Sequence, residues 1–383
     1  MPAKTRRLAA AAFGLILALA LLGWLFRPAP PRYTVTELGT LPGDTVSNAS
    51  GLNNQGEVVG LSGSGRQDTR HSFLYRDGVM TDLGLFGLIG PHDGPVINDG
   101  GQVTGVLKVA RASGRGFHLS AFLYSGGRMR DLGTPPGCSL SIGNGINGQG
   151  QIVGDAMGSG TGEHAFLYSG GRMMDIDALP GCADVLPTGI NAAGQVVGYC
   201  ERQNGGGLQA FAYDSWTRKM TALATPPGFT DSLPLGINDQ GQIIGGAMSG
   251  AGSFSTEREH AVLWAGGRVT DLGRLPDLDS AGGEAINNRG VAVGTAWSRP
   301  GRLSQLVKDH PLRLKPLLPL FEPRLTSRAF VYSGGRMQDL NALIPAHSGW
   351  TLEQAAGIND RGQIVGQGLH HGQERAFLLT PVR

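Results

Sequence analysis

The sequence predicts an all-β protein: a seven-bladed β-propeller of four-stranded antiparallel blades, closed by pairing the N-terminal strand with the C-terminal strand and preceded by an N-terminal transmembrane or signal helix. Three observations support this prediction. One phrase recurs seven times at near-constant spacing, each period holds four strand-like runs, and the two chain ends are complementary halves of one hairpin. With 40% hydrophobic and 16% charged residues, the chain is expected to fold around a core.

The first repeated phrase is Gly-Ile-Asn-x-x-Gly-Gln-Val-Val-Gly or a near copy. Its successive copies are 45, 49, 44, 47, 49 and 72 residues apart, so the last interval carries an insertion. Asn at the first turn position can accept backbone N–H bonds, and Gly at the fourth can adopt a positive φ, so the phrase predicts two strands joined by a tight turn. The predicted structural turn residues are Asn53, Asn98, Asn147, Asn191, Asn238, Asn287 and Asn359.

A second phrase, typified by His164 to Met173, supplies the other two strands of each period. Its aromatic and aliphatic run is followed by a Gly-Gly turn and a short Arg-Met-x-Asp-Leu run, which is typical of a hairpin. The chain begins, after residue 32, with a run that resembles the strand after that turn, and ends with Arg375 to Leu379, which resembles the strand before it. Pairing of these two runs would close the ring.

The N-terminus has the features of a targeting segment. Lys4, Arg6 and Arg7 precede an uncharged apolar run from Leu8 to Phe26. These 19 residues, at about 1.5 Å per residue, can cross a hydrocarbon layer of about 30 Å. We therefore expect residues 1–27 to be a membrane anchor or a cleaved signal peptide, residues 28–32 a Pro-rich spacer, and residues 33–383 the propeller, located in the periplasm or at the cell surface.

Three cysteines do not form the dense pattern of a disulfide-rich protein. Cys138 and Cys182 follow equivalent Pro-Gly pairs in neighbouring periods, which places them too far apart to bridge. Cys182 and Cys200 can pair in an oxidising compartment, and unpaired thiols remain an equal alternative.

The linked phrases resemble the HAF repeat family of exported proteins, as at His164-Ala165-Phe166. The resemblance covers most of residues 33–383 and implies an extracytoplasmic repeat protein. It implies no catalytic residue, because the family has no assigned chemistry. The His is replaced at Ser120, Gln209, Arg328 and Arg375, so it is not expected to be an essential residue of every repeat.

The repeated polar residues are predicted to be structural. Paired carboxylates can hydrolyse glycosides and histidines can bind metal ions, but a group needed once for chemistry is not expected in every blade. We therefore predict no catalytic residue, metal site or cofactor, and regard an enzyme as the less favoured reading. Two pairs unique to their blades, His92-Asp93 and His370-His371, are the enzymatic candidates. The repeated residues are Asp82, Asp131, Asp175, Asp271 and Asp339, with His71, His164 and His260.

The sixth repeat carries the insertion, predicted from Thr295 to Ser327, which combines basic and apolar residues. This composition suggests contact with an acidic partner or a membrane surface, although packing of the segment on the ring is an alternative. The predicted binding residues are Arg299, Arg302, Lys308, Arg313, Lys315, Phe321 and Arg324.

A balance of 32 basic and 30 acidic residues argues against a nucleic-acid partner. A constant scaffold that displays variable loops on one face is typical of a binding surface. We expect a monomeric ring, tethered to the membrane by its N-terminal helix, that acts as a binding or scaffold module for an envelope protein or glycan. The alternatives are a propeller hydrolase or lyase acting on envelope glycan, and a structural spacer.

Overall fold

The computed structural model describes residues 32–64, 70–85, 94–110, 116–158, 162–249, 258–298 and 326–382. These residues form β-strands with two short 3-10 turns, Gln203–Gly205 and Leu340–Leu343, so the all-β prediction is confirmed. Among them, no helix combines the length and hydropathy needed to span a membrane. The segment 1–27 and spacer residues 28–31 lie outside the described residues.

The chain begins with one strand, β1 (Tyr33–Gly39), and continues in units of four strands. The first unit contains β2 (Val46–Leu52), β3 (Val58–Gly63), β4 (His71–Arg76) and β5 (Val79–Leu85). The second contains β6 (Val96–Ile97), β7 (Val103–Ala110), β8 (Phe117–Ser125) and β9 (Arg128–Gly133). The third contains β10 (Leu140–Ile146), β11 (Ile152–Gly158), β12 (Gly162–Ser169) and β13 (Arg172–Ile176).

The fourth unit contains β14 (Cys182–Ile190), β15 (Gln195–Arg202), β16 (Leu208–Asp214) and β17 (Lys219–Ala222). The fifth contains β18 (Asp231–Ile237), β19 (Ile243–Ser249), β20 (Arg258–Ala265) and β21 (Arg268–Gly273). The sixth contains β22 (Ser280–Ile286), β23 (Ala292–Trp297), β24 (Ser327–Ser333) and β25 (Arg336–Asp339). The last contains β26 (Trp350–Ile358), β27 (Ile364–His370) and β28 (Gln373–Pro381), and its fourth strand is β1.

Each unit is an antiparallel meander in which sequential strands pair. Single parallel bridges join the second unit to the third, at Leu119 and Leu140, and the fifth to the sixth, at Glu259 and Ser280. The first strand of the chain pairs antiparallel with the last, with Tyr33 opposite Pro381. Strands from the two ends of the chain therefore share one sheet.

The meander divides the connections between two faces. The Asn-turn face carries the turns between the first and second strands and between the third and fourth strands of each unit. The loop face carries the connections from the second strand to the third and from one unit to the next. On the loop face, Gln203–Gly207 join β15 to β16, whereas His371 and Gly372 alone join β27 to β28.

A packing contact between Gly and Phe explains why the two repeated phrases occur together. In six units, the Gly of the Val-Val-Gly strand lies opposite the Phe of the next strand, and each of these Phe rings is fully buried. A Cβ at Gly60 would lie 2.8 Å from Cζ of Phe73. Only Gly leaves room there for the ring and for the neighbouring strand.

The hydrophobic core lies between neighbouring units. One cluster, for example, joins Val58 and Phe73 of the first unit to Val365 and Ala376 of the last. Each unit is thus buried by its neighbours, which is the packing expected of a repeat protein.

The structure corrects the bounds of the insertion in the sixth unit. It was predicted to begin at Thr295 and end at Ser327, but these residues belong to β23 and β24, which pair with each other. Thr295 lies opposite Ala329 and Trp297 lies opposite Ser327. The repeated phrase predicted that β23 ends at Gly294. The strand continues to Trp297 because its residues pair with residues of β24.

The structure also resolves the alternatives left for the cysteines. A disulfide joins Cys182 on β14 to Cys200 on β15, with their Cα atoms 5.8 Å apart. Cys138 is free and half-buried, and burial raises the pKa of its thiol, with a smaller contribution from the Asp175 carboxylate.

Candidate functional site

Each repeated Asn holds its own turn through its side-chain oxygen. In the first unit, Oδ1 of Asn53 accepts the backbone N–H of Gln55 at 3.1 Å and of Glu57 at 3.0 Å. Gly56 has a φ of 87°, the left-handed conformation that glycine adopts without strain. All seven Asn side chains are buried.

The nitrogens of the same side chains tie the units together. Nδ2 of each Asn donates to the backbone carbonyl of the corresponding Asn in the next unit, at 2.8–3.2 Å. Asn359 donates in turn to Asn53 at 3.0 Å, so these bonds form a closed cycle. In six units Nδ2 also donates to the Glu or Gln four residues later.

The residues that follow these Asn side chains form a second polar tier. The tier surrounds a cavity of about 270 Å³ where the seven turns meet. Asp239, Asn288, Asp360, Asn54 and Asp99, from five consecutive units, alternate between carboxylate and amide and are hydrogen-bonded in that order. Gly148 and Ala192 occupy the other two positions.

Hydrogen bonding in this tier uses the side-chain donors of its amides. Nδ2 of Asn54 donates to both Asp99 and Asp360, and its Oδ1 accepts the N–H of Asp360 at 2.8 Å. Asn288 bonds in the same way to Asp239 and Asp360. An amide has two N–H groups, so both are used, and the tier acts first as a link between units.

The repeated Asp residues after the Gly-Gly turn bond across their hairpins. Asp82 accepts from Gly84 N at 2.7 Å and lies 2.8 Å from Nδ1 of His71, and Asp271 bonds to Gly273 N and His260 in the same way. Asp339 accepts from Asn341 N at 2.8 Å and lies 3.4 Å from Arg328. Asp175 and His164 are exposed.

Asp131 shows the electrostatics of this position. Burial acts to raise the pKa of its carboxyl, but hydrogen bonds from Ser120 Oγ, the Gly133 N–H and His118 outweigh that effect and lower the pKa. The carboxylate is stabilised as an architectural acceptor, which differs from the raised pKa of a general acid.

His370, one of the enzymatic candidates, lies where the first and last strands meet. Its ring stacks on Trp350 at 4.6 Å between centroids, and its Nδ1 lies 2.6 Å from Oε2 of Glu37 on β1. The other oxygen of Glu37 accepts from Nε of Arg375 at 3.0 Å. This carboxylate therefore ties β1 to the last unit. His371 lies next to the cluster, with a ring centroid 4.4 Å from that of His370.

The remaining predicted site residues lie outside the described part of the chain. This applies to the pair His92-Asp93 and to the seven predicted binding residues of the insertion. The residues that flank the insertion are described. Ser298 N donates to Thr326 O at 2.9 Å, and Thr326 N donates to Ser298 Oγ at 3.2 Å.

A second cavity, which we call the seam cavity, was missed in the sequence. It measures about 230 Å³ and lies on the loop-face side between the first and last units. The signal was present at one repeat position: Gln367 follows Ile-Val-Gly where Leu61 follows Val-Val-Gly. The seam cavity is lined by Val46, Ser47, Asn48, Leu61, Gly63, Arg70, Gln354, Gln367 and Glu374.

Comparison with known proteins finds no matching family model and no matching curated protein. Solved structures do match. The β-propeller domain of the Trilobed protease from Pyrococcus furiosus has a TM-score of 0.52 at 8% identity, covering 88% of this chain and 95% of that one. An oligogalacturonate lyase from Vibrio parahaemolyticus has a TM-score of 0.53 at 9% identity, covering 90% and 93%.

A third structure, an oligogalacturonate lyase in complex with manganese, has a TM-score of 0.51 at 10% identity and covers 94% of this chain and 96% of that one. At these identities the similarity concerns the fold alone. The chain has a β-propeller fold.

Proposed function

We propose that this chain is an exported seven-bladed propeller of the HAF repeat type that works as a binding or scaffold module in the cell envelope. Seven four-stranded units, the pairing of β1 with β28 and the cycle of Asn hydrogen bonds support a closed ring of seven blades. Closure packs every blade between two neighbouring blades and leaves only short, protected strand edges.

The observation that supports a binding function is that the repeated polar residues hold the scaffold together, so that the residues that vary remain for recognition. Asn53 and its six equivalents bond within turns and between units, and Asp82, Asp131, Asp271 and Asp339 bond across hairpins. These residues build the scaffold. The loop face differs from unit to unit, and such differences are where recognition is displayed on a constant framework.

The insertion in the sixth unit is the proposed recognition segment. Its basic residues would attract an acidic envelope component, and its apolar side chains would add contact area. The two described residues that flank it, Ser298 and Thr326, are hydrogen-bonded to each other on the loop face.

Export and tethering are proposed from the N-terminal segment and supported by the disulfide. Disulfides persist in oxidising compartments, and Cys182 and Cys200 are joined. The test uses the full chain with a C-terminal tag. The tag should resist alkaline extraction from membranes and be digested by protease added to spheroplasts. A tag protected from protease would contradict export.

Binding is tested with the full chain immobilised in detergent and exposed to an envelope extract that includes glycan fragments. One variant replaces the six basic residues of the insertion, from Arg299 to Arg324, with Gln. Its control replaces Arg128 and Arg172, on the opposite face, with Gln. The proposal expects a component identified by mass spectrometry that the chain and control retain and the insertion variant loses. Equal retention by all three would contradict a recognition role for the insertion.

A further inference from the structure

We propose that the seam cavity binds a single saccharide unit. The inference goes beyond the proposed function, since it assigns a ligand class to a site separate from the insertion. It rests on the described residues of the first and last units.

The seam cavity opens where strands from two units begin and end. Asn48 lies near the start of β2 and Arg70 precedes β4, whereas Gln354 and Gln367 come from β26 and β27 of the last unit. Gln354 lies opposite Gln367 in the strand register, so the two side chains come from neighbouring strands. Both units therefore contribute polar groups to one small volume.

Arg70 contributes a charged hydrogen-bond donor to the lining of this cavity. Its Nε is buried, and no residue in the described part of the chain accepts a hydrogen bond from it. Leaving a buried donor unpaired costs about 1–3 kcal/mol, and more for a charged group. Gly63 leaves room for the stem, because a Cβ there would lie 2.9 Å from Cγ of Arg70. A bound ligand that offers an oxygen acceptor would complete the guanidinium.

The amides extend the requirement beyond one acceptor. Oδ1 of Asn48 accepts the N–H of Leu61 at 3.2 Å, which leaves its Nδ2 as a donor. Within the described part of the chain, the side chains of Gln354 and Gln367 have no hydrogen-bond partner. Each amide offers both a donor and an acceptor, and each sugar hydroxyl can both donate and accept.

The charges favour a neutral polyhydroxylated ligand over a simple ion. Arg70 and Glu374 line the same cavity with opposite signs, so an isolated anion or cation would meet one like charge. A sugar can accept from the guanidinium and donate to the carboxylate at the same time. The volume, about 230 Å³, falls below the roughly 300 Å³ at which pockets for drug-sized ligands begin, which fits one ring.

The polar lining is not a requirement of the fold. Leu61 of the first unit also packs against Val106 of the second unit and Ile142 of the third in an apolar cluster. The contact between these units is therefore closed by aliphatic side chains. Gln367 occupies the repeat position held by Leu61 and Val106. The fold can therefore close a contact between units with aliphatic side chains, but between the first and last units it has the amides of Gln354 and Gln367.

The experiment is saturation-transfer NMR on the full chain in detergent, with N-acetylglucosamine, glucose and glucuronate as probes and inorganic phosphate as the ion. We expect at least one of the neutral sugars, N-acetylglucosamine or glucose, to give transfer signals and to raise the melting temperature, whereas binding of glucuronate alone would contradict the preference for a neutral ligand. Gln367→Leu should lower the affinity at least tenfold, whereas Gln55→Leu, an exposed amide on the Asn-turn face, should leave it unchanged.

Arg70→Met provides a second variant whose stability is informative. Because the Nε of Arg70 pairs with none of the described residues, this variant should melt at the wild-type temperature or higher without sugar, and should lose the stabilisation by sugar. Absence of any sugar signal, binding of phosphate alone, or sugar binding unaffected by both Gln367→Leu and Arg70→Met would overturn the proposal. Replacing the six basic residues of the insertion with Gln should leave sugar binding intact, so failure of this inference and of the insertion's role are distinguishable.

Discussion

The two faces of this molecule use polar residues in opposite ways. On the Asn-turn face, one turn is repeated seven times and its buried Asn side chains bond within their own turn and to the next unit. On the loop face, the connections differ in length, and the seam cavity contains a buried guanidinium nitrogen that pairs with no described residue. Repetition therefore marks the scaffold in this chain, and the ligand sites that we propose lie where the repetition is broken.

The largest effect is expected from breaking the packing on which the repeat depends. In Gly154→Ala, the new Cβ would overlap the carbonyl oxygen of Ile142 and lie 2.7 Å from the Phe166 ring. We expect a loss of more than about 4 kcal/mol in the free energy of unfolding, measured by urea denaturation. The matched control is Gly148→Ala, whose Cβ would meet nothing within 4 Å. Equal stability of the two variants would contradict this packing.

The next effect comes from opening the Asn cycle at one unit. Asn53→Ala removes the acceptor for two backbone N–H groups and the donor to the Asn98 carbonyl. Several buried groups then lack partners, so unfolding should become easier by about 3 kcal/mol. Gln55→Ala in the same turn alters an exposed side chain and should change stability by less than about 0.5 kcal/mol. A cycle that contributes nothing would give two indistinguishable denaturation curves.

Removing the disulfide should lower the stability of the fourth unit without changing a turn residue on either face. Replacing Cys182 and Cys200 with Ser removes a cross-link spanning 18 residues, which should lower stability by about 3 kcal/mol in thermal denaturation. Cys138→Ser serves as the control, because that thiol is free. If the double variant and the wild type melt together under oxidising conditions, the cross-link is not stabilising.

The smallest effect concerns an acidic group at the seam between the third and fourth units. Burial raises the pKa of Glu163, and the carboxylates of Asp155, Asp184 and Glu201 raise it further. A raised pKa means that the folded chain binds the proton more tightly, so the contribution of Glu163 to stability is present at low pH and is lost as pH rises through the folded pKa.

Glu163→Gln should therefore melt at a higher temperature than the wild type at pH 7, and the difference should shrink towards pH 4. Gln149→Ala, whose side chain bonds to the backbone of the Asn-turn face, provides a pH-independent comparison. A difference that grows as the pH falls would show that Glu163 ionises more readily in the folded chain than in the unfolded one.

The sequence predicted the structure best where the same short turn and hairpin motifs recur. An Asn followed three residues later by Gly specifies a tight turn in itself, and the paired phrases specify hairpins, so strands such as β3 and β4 could be predicted from the chain alone. The pairing of β1 with β28 was also predictable, because each end contains one half of a repeated hairpin.

Features that arise between units could not be predicted in this way. The alternation of Asp239, Asn288 and Asp360 is spread over residues far apart in sequence, and only the meeting of the turns makes it one tier. The sequence does not distinguish Arg70 from other arginines, because the burial of its Nε and the packing of its Cγ beside Gly63 appear only in the folded chain. The partner of Cys182 depended on a distance that sequence spacing does not give.

The most direct test of the account is hydrogen–deuterium exchange of the full chain, with and without the sugar that binds best. The account predicts slower exchange in loop-face peptides of the first and last units, including Asn48, Arg70 and Gln367, and unchanged exchange in the Asn turns. Protection of the Asn turns around Asp239 and Asp360, with no change at the seam cavity, would contradict the division of the molecule into a scaffold face and a binding face.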